Sequence, residues 1–120
     1  MIRYFLLLEV VIFFTGTMTA QQQSNFKVQL ITLNPGHFHA ALVQKYKYEN
    51  INPEVFVYAP KGKELDAHLA LVNGYNTRSE DPTAWKEIVY TGDDYLQKMI
   101  SEKKGNVVVL AGNNQQKTTY

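Results

Sequence analysis

From Phe26 onward, short apolar runs alternate with segments in which apolar residues recur every three or four positions. Phe26 to Leu33 is rich in Val, Ile and Leu and has the length of a buried strand. Asn34-Pro35-Gly36 breaks it. Phe38, Ala41, Leu42 and Lys45-Tyr46 then follow at helical spacing, which predicts a helix from about His37 to Tyr48. After the connector Asn50-Ile51-Asn52-Pro53, Glu54 to Tyr58 reads as a second strand, ended by Ala59-Pro60-Lys61-Gly62. Leu65, Leu69 and Val72 share one stripe of a second helix, with His68 beside the stripe as a surface or packing residue and Gly74 as the expected C-terminal cap. Turn formers fill a loop from Tyr75 to Trp85, and Glu87 to Tyr90 is a short third strand. Gly92-Asp93-Asp94 opens a third helix, because carboxylates can accept its free N–H groups. Tyr95, Leu96, Met99 and Ile100 form that helix's apolar side, and Lys103-Lys104-Gly105 close it. Val107 to Leu110 is a continuous apolar run, the pattern of a parallel strand covered on both faces.

The order βαβαβαβ implies an α/β fold with a parallel sheet, and a partial, doubly wound, Rossmann-like domain is expected over residues 26–120. The chain stops at Tyr120 where a fourth helix should begin, so the sequence reads as a truncated part of a longer protein.

Residues 1–20 carry a different pattern. Arg3 precedes an apolar stretch from Tyr4 to Phe14, and Thr15-Gly16-Thr17-Met18-Thr19-Ala20 follows with small and polar residues. That order describes a secretory signal peptide cut after Ala20, with Gln21 to Asn25 as a polar spacer. An uncleaved anchor and a buried N-terminal helix are the alternatives. The expectation is an exported, periplasmic protein with no stable membrane insertion after cleavage.

Composition narrows the chemistry. Twelve Lys+Arg against eleven Asp+Glu give no electrostatic pull towards nucleic acid. The absence of cysteine excludes a disulfide framework, a thiolate zinc site and a Cys nucleophile.

The turn Asn34-Pro35-Gly36-His37-Phe38-His39 joins the first strand to the first helix. In a parallel α/β sheet it lies at the C-terminal strand edge, where ligands bind, and a helix N-terminus there suits a pyrophosphate. Gly36 lets a phosphate approach the backbone, although a plain strand-to-helix turn would use glycine as well. His37 and His39 would share a face on a strand and could then hold a metal. On a helix they point about 200° apart, and the helical reading argues against metal. Ala111-Gly112-Asn113 ends the fourth strand and is expected beside the first turn, where small residues admit a dinucleotide and the Asn amide can bond it. Tyr58 closes the second strand where a ribose-binding acid would stand. Lys61 and Lys63 follow it, so NAD and NADP both stay open.

These stretches resemble the N-terminal domain of the glucose–fructose oxidoreductase / inositol dehydrogenase (Gfo/Idh/MocA) family, in a divergent exported bacterial branch. The likeness rests on Val28 to Leu42, with His39-Ala40 early in the first helix, on Tyr90-Thr91-Gly92-Asp93-Asp94-Tyr95-Leu96, and on Asn106 to Asn114. It implies NAD or NADP as cofactor, held by Asn34, Pro35, Gly36, His37, Phe38, His39, Tyr58, Ala111, Gly112 and Asn113. It further implies hydride transfer with a sugar or polyol once the protein is complete. The family's catalytic Glu-Lys-Pro segment and its dimerising C-terminal domain would follow Tyr120, so no catalytic residue is assigned in this chain. An NAD-retaining glycosidase of the same family and a cofactor-free Rossmann-like binding module are the alternatives.

The leader reading predicts that the mature protein begins at Gln21. N-terminal sequencing of protein from its native host checks this, and recovery of intact Met1 in soluble cytoplasmic protein would refute it.

Overall fold

The structure is a computed structural model and describes residues 25–112, 116 and 118–120. The expected leader, and all of the spacer except Asn25, lie outside the described residues. The elements alternate as β1 (Leu30–Leu33), α1 (His39–Leu42), β2 (Glu54–Tyr58), α2 (Lys63–Thr77), β3 (Lys86–Tyr90), α3 (Tyr95–Glu102) and β4 (Val107–Val109). Among the described residues no helix is long and apolar enough to cross a membrane.

All four strands are parallel and lie in the order β3-β2-β1-β4. Leu33 pairs with Tyr58 on one side of β1, and Leu30 to Thr32 pair with Val107 to Val109 on the other. The chain therefore steps from β1 to β3 in one direction, then crosses back to place β4 beside β1. That order and its reversal define a Rossmann-like α/β sheet.

Successive side chains of a strand point to opposite faces, and this alternation divides the core in two. Leu30, Val55, Val57 and Ala59 pack with Ala41, Leu65, Val72 and Trp85 on the face covered by α1 and α2. Ile31, Leu33 and Tyr58 pack on the opposite face, together with Phe56 and with Tyr95, Leu96 and Met99 of α3. Each fully buried Val or Leu contributes about 1.5–3 kcal/mol over its exposed state.

Tertiary contacts move several predicted boundaries. The ladder of β1 begins at Leu30 rather than Phe26, because the Asn106 side chain takes the earlier bonds: Gln29 N–H donates to its Oδ1 at 2.9 Å, and its Nδ2 donates to Lys27 O at 2.8 Å. Helix α1 is a single turn, not the three turns predicted. Its last residue Leu42 and the flanking Phe38 and Tyr46 are exposed, and Ala40 and Ala41 alone are buried from it. Past Leu42 the carbonyls serve other elements, with Gln44 O accepting Trp85 Nε1–H at 2.6 Å and Lys45 O accepting Arg78 Nη2 at 2.8 Å.

Helix α2, by contrast, continues through Gly74, the predicted cap, to Thr77. Asn76 holds that extra turn: its Oδ1 accepts Thr83 Oγ1–H and Trp85 N–H, and its Nδ2 donates to Trp85 O at 2.8 Å. At α3 the Asp94 side chain makes no cap bond and instead accepts the Tyr90 hydroxyl at 2.7 Å. Strand β4 is not covered on both faces as its apolar run predicts. Val107 and Val108 are each 42% exposed, because β4 is the edge strand of the described sheet and α3 packs chiefly against β1 and β2.

After α3 the chain reverses through Lys103 in the left-handed region (φ 50°) and passes under β1 at Gly105. A Cβ on Gly105 would lie 2.6 Å from Ile31 Cγ1 and 2.7 Å from Gln29 O, a backbone atom that cannot swing away. Gly105→Ala is therefore expected to destabilise the fold by about 2 kcal/mol. Chemical denaturation of the variant beside the wild type measures it.

Candidate functional site

The C-terminal edge of the sheet carries the predicted turns, and the structure brings two of them together. The His37 N–H donates to Ala111 O at 2.9 Å, which ties the end of β4 to the turn after β1. Gly112 sits closer still: a Cβ there would lie 2.5 Å from Asn34 O and 3.7 Å from Gly36 N. The contact falls between β1 and β4, where the strand order reverses. Crevices at such reversal points are where open α/β sheets bind ligands. Asn113 lies outside the described residues.

Asn34, not Gly36, supplies the left-handed residue of the first turn, at φ 41°. An Asn tolerates that region better than most residues, and its own bonds hold it there. Its N–H donates to Tyr58 O at 2.9 Å, and its buried side-chain Nδ2 donates to Gln116 Oε1 and to the Tyr120 hydroxyl at 2.6 and 2.7 Å. Every described glycine avoids the left-handed region, so what Gly36 supplies is space at the backbone rather than a special φ.

The turn's donors are partly spent. His37 N–H serves Ala111, Ala40 N–H serves His37 O at 3.0 Å, and His39 N–H reaches His37 Nδ1 at 3.3 Å. Pro35 has no N–H. Gly36 and Phe38 keep N–H groups with no partner among the described residues. Because α1 has one turn, its macrodipole is small, and the anion-binding capacity expected of a full helix N-terminus reduces to these turn amides.

The two histidines correct a second expectation. Their rings lie 4.3 Å apart, and Phe38 stands 4.5 Å from the His37 ring and 4.2 Å from the His39 ring. The helix starts only at His39, so the helical divergence of positions two apart does not apply to this pair. Among the described residues no group of three or more His, Asp or Glu side chains could hold a metal ion.

A cleft of about 290 Å³ opens beside the turn, with Pro35, Gly36, His37 and Phe38 on one wall and Lys63, Glu64, Ala67 and His68 of α2 on the other. A smaller one of about 130 Å³ continues along the same edge from Asn34 to Lys61 and Gly62. It reaches the start of α2, where no side chain caps the first N–H groups.

His68, expected as a surface or packing residue, is packed inside. Its side chain is 4% exposed, and neither ring nitrogen has a partner among the described residues. Burial pushes its pKa down to about 4, so the ring is neutral near pH 7 and offers one donor and one acceptor. The signal was present, since Leu65, His68 and Val72 follow at i, i+3 and i+7 on the buried stripe.

Tyr58 lies on the other face of the sheet. Its buried ring packs towards α3, and its hydroxyl donates to Glu102 Oε2 at 2.5 Å. Burial and that carboxylate raise the phenol's pKa above its ordinary value. The backbone of Tyr58 serves the turn through Asn34, while its ring lies apart from the clefts.

The comparisons with known proteins agree with this architecture. A crystal structure described as that of a putative oxidoreductase from Parabacteroides merdae aligns over 81% of the chain with 62% sequence identity and a TM-score of 0.78. The chain has a Rossmann-like fold. It spans 22% of that protein's chain, about a fifth of its length. No family model and no curated protein matches the sequence.

The contact between the two turns carries a direct test. Gly112→Ala must push the end of β4 away from Asn34 O and stretch the bond from His37 to Ala111. Hydrogen exchange at the His37 amide should accelerate at least tenfold while the α2 amides stay protected, since tenfold corresponds to about 1.4 kcal/mol. Unchanged exchange at His37 would show that the two turns are not coupled.

Proposed function

We propose that this chain is the dinucleotide-binding part of an NAD(P)-dependent oxidoreductase, with the cofactor pyrophosphate against the Pro35–Phe38 backbone. The observation that carries the reading is the meeting of the first turn with Ala111-Gly112 at the reversal of strand order, beside an open cleft. The N–H groups of Gly36 and Phe38, which have no partner among the described residues, would be donors for phosphate oxygens, and Lys63 on the facing wall would supply a cation. The likeness to the Parabacteroides oxidoreductase supports the same class of chemistry.

The adenosine end of the cofactor would run along the edge towards the start of α2. There Glu64 could accept a ribose hydroxyl, whereas Lys61 and Lys63 could pair with a 2′-phosphate. Neutral His68 would complete its bonding with a ligand group that both donates and accepts, such as a hydroxyl. The bound nicotinamide would exchange hydride with a sugar or polyol held by parts of the protein outside this chain. Export to the periplasm, cleavage after Ala20 and dimerisation through a further domain belong to the same proposal.

A second reading is a binding module that kept the fold without the cofactor. It is favoured by the one-turn α1 and by the use of the His37 N–H within the protein.

Calorimetric titration with NAD and NADP separates the two readings. The first expects binding of at least one dinucleotide and a tenfold or greater loss in Gly36→Val, about 1.4 kcal/mol, because the branched side chain would stand in the cleft that Gly36 lines. A wild type that binds neither dinucleotide overturns the first reading and favours the second. A variant that binds as well as wild type removes the pyrophosphate from this turn.

A further inference from the structure

Far from the cleft, at the start of β3, a buried amide faces a buried carboxyl. Gln44 follows α1 and is 1% exposed. Its Nε2 donates to Glu87 Oε1 in a short hydrogen bond. The remaining oxygens of the two groups, Gln44 Oε1 and Glu87 Oε2, are both buried, and neither has a partner among the described residues. Each can only accept while Glu87 is ionised, so the two lone-pair atoms would stand in one pocket without a proton between them. One proton on Glu87 Oε2 resolves both vacancies at once, because the acid then donates to the amide oxygen while the amide donates to the acid's other oxygen.

We infer that on the acid side of neutrality Glu87 is a protonated acid in the folded protein, closed with Gln44 into a two-bond acid–amide ring that clasps the end of α1 to β3. Proton loss opens the clasp. An ionised Glu87 would face the Gln44 oxygen with like partial charge and would lose one of the two bonds. The energetic logic is the cost of burying a carboxylate without compensating partners.

Burial is the largest influence on this carboxyl and raises its pKa to about 7, partly offset by the Gln44 bond. No charged group contributes to the shift. The charges on the flanking segments are engaged elsewhere. Lys86 pairs with Glu54 at 3.0 Å, Arg78 bonds Asp81 O and Lys45 O, and the Lys45 ammonium lies 5.5 Å from the Tyr46 ring. An acid whose folded pKa is raised contributes stability that is full below its ordinary range and is lost as pH climbs through its folded value. For Glu87 that window runs from about 4.5 to about 7.

The clasp also matters for position. The Gln44 carbonyl accepts Trp85 Nε1–H, so one residue fixes the chain leaving α1 both to the loop before β3 and to β3 itself. Opening the ring would loosen the segment on which α1 rests.

Two measurements test the inference. In protein labelled with ¹³C-glutamate, the Glu87 carboxyl carbon should titrate near neutrality instead of at the ordinary carboxylate value. Glu87→Gln should reproduce the protonated state at every pH, since its amide can donate to Gln44 Oε1 and accept from Gln44 Nε2. Between pH 5.5 and 8.5 the thermal midpoint of the wild type should fall relative to Glu87→Gln by roughly 5 °C or more. An ordinary carboxylate titration of Glu87 would overturn the inference, and so would a difference in midpoint that stays constant with pH. Should the variant fail to fold, the carbon titration of the wild type decides alone.

Discussion

The approach of the β4 end to the turn after β1 is the constraint on which the site depends. A parallel sheet that grows in one direction gives each strand-to-helix turn a neighbour from the next unit. Where β4 crosses back to the other side of β1 the strand order reverses, and the cleft of this structure opens on the α2 side of the same turn. The two backbones meet at that reversal because position 112 lacks a side chain and Ala111 O accepts the His37 N–H. The same contact sets which turn amides are spent on the protein and which face the cleft.

At the opposite edge of the sheet, buried and half-buried polar side chains do more to place the elements than helix propensity does. Asn76 satisfies three partners and carries α2 past a glycine that favours termination. Gln44 and Arg78 draw the chain out of α1 after a single turn, although its apolar spacing suits a longer helix. In both places a donor or acceptor left unpaired would cost about 1–3 kcal/mol, at least as much as the roughly 1 kcal/mol by which a helical glycine falls short of alanine. The tertiary bond therefore decides where the helix ends.

The site has the same character. The sequence located the turn at 34–39 and the small-residue turn at 111–113, and the structure brings 34–39 and 111–112 into contact because β4 pairs with β1. The walls of the cleft were not legible in the same way. His68 was read as a surface or packing residue because one histidine on an amphipathic helix has many uses. Its significance depends on facing the first turn with both ring nitrogens unsatisfied among the described residues, a property of two elements far apart in the chain. The stacked rings of His37, Phe38 and His39 were hidden for a related reason, since the geometry of that run depends on where the helix begins.

The sequence by itself determined the alternation of strands and helices, the parallel sheet, and the two turns at its C-terminal edge. Those features follow from the spacing of apolar residues and from turn chemistry, which act over a few neighbouring positions. Tertiary structure decided how long α1 and α2 run, that Tyr58 turns its ring away from the cleft, that β4 stands exposed at the edge, and that Gln44 meets Glu87. Each of these is a balance between burial and hydrogen bonding among residues far apart in the chain, and spacing along the chain carries no record of which distant group supplies the missing bond.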